Sequence, residues 1–80
     1  MTELERMAQE VLDKPQPHET LTVLFLAQDV NRYEIARRQR IHRSSVDNRV
    51  SKLLRRYKLG TAASLVALFL KNGWIRLEDV

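Results

Sequence analysis

Eighty residues suffice for one domain with a small core and leave little space for a substrate pocket. A hydrophobic content of 44% with 6% aromatics suits a packed helical chain and excludes a disordered basic tail, while the lack of cysteine excludes disulfides and thiolate metal sites. The net charge of +4 is polarised: residues 31–58 hold ten Lys and Arg against Glu34 and Asp47, a net +8, whereas residues 1–30 hold two bases and six acids, a net −4.

Thr2 and Glu5 have capping-box spacing, and Leu4, Met7, Ala8, Val11 and Leu12 recur at helical intervals, which predicts a short amphipathic helix over residues 3 to 13. Pro15 and Pro17 end it, dividing the chain into an N-terminal helix within residues 1–14 and a domain over residues 15–80. From Glu19 the run Leu21, Val23, Leu24, Phe25, Leu26, Ala27 leads to the turn-like Asp29-Val30-Asn31 and reads as one buried helix. A strand here would have no sheet to join. Asn31 with Glu34 repeats the cap spacing before Tyr33, Ile35 and Ala36, predicting a second helix at 32 to 39. It must stop near Gln39-Arg40, because Ile41 falls off the stripe and a new cap signal, Ser44 with Asp47, follows. Val46, Val50, Leu53, Leu54 and Tyr57 then mark one face of a longer third helix, 44 to 58, with Arg49, Lys52, Arg55 and Arg56 mostly on the other. Gly60 supplies a stop, Thr61 caps a fourth helix, and Gly73 ends it after Asn72.

A short helix, a sharp turn and a second helix that opens in small polar residues and carries Arg and Lys is what a major groove requires. The groove is about 12 Å wide and admits one helix, whose first turns reach base edges while flanking cations hold phosphates. Glu34-Ile35-Ala36-Arg37-Arg38, Ile41, Ser45-Val46, Leu53, Leu59 and Ala63-Ser64-Leu65-Val66-Ala67-Leu68 through Gly73 fall at the spacing of a known family. Over residues 17 to 75 the chain resembles the LuxR/GerE-type DNA-binding domain, with Pro17, Glu19 and Leu26-Ala27-Gln28 agreeing upstream. The resemblance implies an all-α, four-helix module with a central helix-turn-helix, here preceded by the additional N-terminal helix. It also implies a transcriptional regulator that sets its third helix in the major groove and dimerises through its fourth.

By the family's pattern the base-reading positions are Asp47, Asn48 and Ser51. Asn48 is suited to adenine N6 and N7 and Asp47 to cytosine N4, although a carboxylate there also suits the helix N-terminus. Phosphate contacts are expected from Arg43 and Ser44 at the start of the third helix, from Arg49, Lys52, Arg55, Arg56 and Lys58 along it, and from Arg37 and Arg38 on the second. Gln39-Arg40 stands where the family has Leu-Gly, which removes a core leucine and puts a side chain where φ is expected to be positive, at a cost of roughly 1 kcal/mol. His42 replaces the family's capping Ser, so Ser44 is a rival cap; Arg49 replaces a histidine.

The fourth helix is apolar all round from Leu65 to Leu70, more than one core can bury. Its surplus stripe, Ala62, Val66 and Leu70, is expected to meet a second copy; the rival is the N-terminal helix folding back over it, and Trp74 and Ile75 suit either. No nucleophile, base and orienting acid converge, so an enzyme is not expected, nor a cofactor or metal, since His18 and His42 lack carboxylates at ligand spacing. Six apolar residues in the longest run fall far short of the roughly 20 that span a bilayer, and acids stand where a signal peptide has bases. The expectation is a cytoplasmic, stand-alone regulator of a bacterial or phage-infected cell, a homodimer on palindromic double-stranded DNA. Two alternatives share the pattern: a sigma region 4-like module docking on RNA polymerase, and an interaction module for an acidic regulatory protein.

Overall fold

A computed structural model describes residues 2–4 and 14–80. These residues are all-helical and form no strand: α1 (Pro17–Ala27), α2 (Arg32–Gln39), α3 (Arg43–Arg56), α4 (Ala62–Lys71) and a 3-10 turn (Leu77–Asp79). Of the N-terminal helix expected over residues 3 to 13, only residues 3 and 4 are described, so that expectation and its docking on α4 lie outside the described residues. No described helix is long and apolar enough to cross a membrane.

Helix α1 begins two residues earlier than Glu19, at Pro17. Proline suits the first helical position, where its missing N–H has no helical partner to lose and its φ is already set. The Gln16 backbone N–H donates to Glu19 Oε1 at 2.8 Å, fixing the entry. At α2 the cap forms as the spacing predicts, with Glu34 N donating to Asn31 Oδ1 at 2.9 Å. Thr61 caps α4 in the same way, accepting from Ser64 N at 3.1 Å.

Both bounds of α3 differ from 44 to 58. His42 is its N-cap without any side-chain cap bond, and Ser44 lies inside the first turn rather than capping it. At the other end Lys58, not Gly60, takes the left-handed conformation, with φ 57°. The stop comes there because the next residue, Leu59, must turn inward to the core, and its N–H donates to Leu54 O at 2.8 Å.

Helices α1 to α4 all end in this way. Asp29 (φ 61°), Arg40 (55°), Lys58 (57°) and Gly73 (70°) reverse the chain. Bonds from Val30 N to Phe25 O, Ile41 N to Ala36 O and Trp74 N to Phe69 O, each 2.9 to 3.0 Å, match that of Leu59. Each reversal thus delivers one apolar residue, Val30, Ile41, Leu59 or Trp74, to the core edge.

The core gathers Val23 of α1, Ile35 and Ala36 of α2, Val46, Val50 and Leu53 of α3, Leu65 and Phe69 of α4, and Ile75. Helix α1 packs chiefly on α4, and α2 on α3. Tyr57, Phe69 and Trp74 join the two halves, with ring centroids 5.0 to 6.0 Å apart and two of the three pairs edge to face. Trp74 and Ile75 therefore serve their own domain's core.

Candidate nucleic-acid interface

Three residues, Arg40 to His42, separate α2 from α3. The apolar stripe Val46, Val50, Leu53 pins one side of α3 to the core, and the helical repeat then leaves Ser44, Asn48, Ser51, Lys52 and Arg55 exposed on the other. Of the three base-reading candidates, Asn48 and Ser51 are exposed. Asp47 is drawn aside by Arg32, whose Nη1 lies 2.6 Å from Asp47 Oδ1.

The candidate phosphate residues divide by partner. Arg37 and Arg38 both hold Glu34, from one turn away. Arg56 donates through two nitrogens to the two oxygens of Glu19, at 3.0 and 2.9 Å. Arg43 stacks over the Tyr33 ring, 4.8 Å from its centroid, and Tyr33, placed with Ile35 and Ala36 on the sequence stripe, is instead 70% exposed. Arg49 turns inward, donating from Nη1 to Gln39 Oε1 at 2.9 Å and Thr22 Oγ1 at 3.2 Å. Lys52, Arg55 and Lys58 meet no carboxylate among the described residues, and Ser44 lies beside Arg43 on the first turn of α3.

Ser45, Asn48, Arg49, Lys52 and Arg56 of α3 form one wall of a cleft of about 480 Å³. The start of α1, with Gln16, His18 and Glu19, forms the other. Glu19 brings the cleft's one carboxylate, 7% exposed and bound by Arg56 and Gln16. Burial alone would raise its carboxyl, but the Arg56 hydrogen bond, the Gln16 N–H and the Arg56 charge outweigh that and hold it below the ordinary value. Glu34 is pulled down to about 2 by hydrogen bonds from Arg37 and Arg38. Arg37 and Arg56 are raised in turn, chiefly by those same bonds. Glu19, Glu34 and Asp47 are each matched to an arginine, which leaves the outward face of α3 with cations and neutral polar groups.

Residues Glu19, Thr22, Arg32, Tyr33 and Gln39 were not apparent as site residues in the sequence. Their arginine, aspartate or ring partners in the interface lie 10 to 37 positions away, so no short motif marks them. On α4, Leu65 and Phe69 are fully buried and Leu68 partly so. Ala62, Val66 and Leu70 form a half-buried flank, bordered by exposed Ala63 and Ala67. No described group of His, Asp or Glu is placed to hold a metal ion. In comparisons with known proteins, no family model, curated protein or solved structure matches the chain.

Proposed function

We propose that the protein is a sequence-specific DNA-binding transcriptional regulator of LuxR/GerE type, which sets α3 in the major groove and binds a palindromic site as a homodimer. One observation carries this: α3, reached by a three-residue turn from α2, exposes Asn48, Ser51, Lys52 and Arg55 while each nearby carboxylate is bound to an arginine. A surface with cations at its edges and amide and hydroxyl groups between them matches a groove with phosphates at its edges and base acceptors and donors between them.

Asn48 and Ser51 read bases, and Arg43, Ser44, Lys52, Arg55 and Lys58 meet phosphates. Asp47, drawn aside by Arg32, is not among the base readers. Selection from a random duplex library by the immobilised protein tests the reading. An enriched palindrome whose affinity falls linearly with log salt, by about 0.9 log units per phosphate, is the expected result. Recovery of unenriched DNA, or salt-insensitive binding, overturns it.

A further inference from the structure

Arg49 differs from the other inward-facing arginines in having neutral partners. Its Nη1 donates to Gln39 Oε1 and Thr22 Oγ1, and these are oriented in turn by the chain. Thr22 is fully buried, and its hydroxyl donates to His18 O at 2.9 Å, which leaves an oxygen lone pair for the guanidinium. Gln39 Nε2 points to the same carbonyl at 3.4 Å, so its amide must keep Oε1 toward the cation. Two other helices, α1 and α2, thus fix one nitrogen of Arg49, and neither contributes a negative charge.

A guanidinium has five N–H donors in a planar fork. With Nη1 held, the edge formed by Nε and Nη2 has no described protein acceptor, and Arg49 lines the cleft between α1 and α3 beside Lys52, Asn48 and Ser45. Glu19, the one acid in that cleft, has both oxygens engaged by Arg56. An arginine edge of this kind fits two oxygens of a phosphodiester, a match that an ammonium does not make.

We infer that Gln39 is a positioning residue: with Thr22 it holds one nitrogen of Arg49 so that the opposite edge of the guanidinium grips a DNA backbone phosphate in the cleft between α1 and α3. This rests on the proposed DNA-binding function. Leucine at position 39 would pack but leave the guanidinium unaligned, and a carboxylate would align it but cancel its charge. Glutamine aligns the guanidinium and leaves its charge intact.

Gln39→Leu in the full chain, titrated with a random-sequence duplex at several salt concentrations, tests the inference. The log affinity against log salt should be about one unit shallower than in the wild type, the loss of one phosphate contact. In an Arg49→Ala background Gln39→Leu should change the slope no further. The Arg49 Nε–Hε signal in ¹⁵N spectra should shift when DNA is added to the wild type and not to Gln39→Leu. If Gln39→Leu fails to fold, the nearly isosteric Thr22→Val removes one of the same two acceptors and should flatten the slope in the same direction. A wild-type slope in folded Gln39→Leu, or an additive effect with Arg49→Ala, overturns the inference and leaves DNA binding standing. A wild type that does not bind DNA overturns both.

Discussion

Asn48 stands exposed on α3 between Lys52 and Ser44, one turn from each, and no described group claims its amide. An amide there offers one donor and one acceptor to the same base, so Asn48→Ala should cost about 1 to 3 kcal/mol on the selected site and relax preference at one base position. Equal losses on selected and random duplexes in a gel-shift series would make Asn48 a backbone contact. Among the described residues, Glu19 and Glu34 are the carboxylates held below their ordinary value. Both are lowered from an ordinary 4.5, Glu34 to about 2, so each binds fewer protons folded than unfolded. Their stabilisation is complete above about pH 4.5 and is lost as pH falls through the lowered values. Melting curves from pH 7 down should show that decline, and Glu19→Gln, which weakens the two-nitrogen clasp of Arg56, should cost about 1 to 2 kcal/mol at neutral pH and flatten the decline. An unchanged acid profile in that variant would remove Glu19 from this role.

Helix ends decide much of the geometry of this fold. Arg40 and Lys58 occupy left-handed positions where a Cβ costs about 1 kcal/mol, partly offset because glycine loses more freedom on folding. Arg40→Gly and Lys58→Gly should each raise stability by a few tenths to about 1 kcal/mol in urea unfolding; a loss would mean that those side chains hold the turn. These ends also show what a sequence discloses. The Asn31 and Thr61 caps were legible because donor and acceptor lie three residues apart, and the apolar stripe of α3 because it repeats each turn. The stop of α3 was misplaced because Gly60 is the obvious breaker, whereas packing of Leu59 sets the reversal one residue before it, at Lys58. At the candidate interface, Arg37 and Arg38 were expected on phosphates, and both instead hold Glu34 at helical spacing. Arg32 with Asp47, Arg56 with Glu19 and Arg49 with Thr22 did not, since each pair meets only after separate helices have packed.

As a whole, the molecule has an outward α4 flank on which Ala63 and Ala67 are exposed beside Ala62, Val66 and Leu70. Small side chains there permit close approach of a second copy, whose twofold axis would tie two α3 helices to half-sites one DNA turn apart. Ala67→Glu adds a charge at a position that is exposed in the single chain, so the fold should persist by circular dichroism. In a twofold contact the same charge appears twice and is desolvated each time, so the variant should sediment as a monomer and lose most palindrome affinity. A wild type that is monomeric at tens of micromolar would exclude this interface. The aromatic seam has an optical consequence. Trp74 is the chain's single tryptophan, half-buried at 5.0 Å from Phe69 and 5.6 Å from Tyr57, while Asn48 lies nine residues before Tyr57, about 13 Å along α3. Its fluorescence should therefore redden when the α3 and α4 ends part and stay constant when DNA meets the start of α3, so that unlabelled protein reports folding and binding in separate channels.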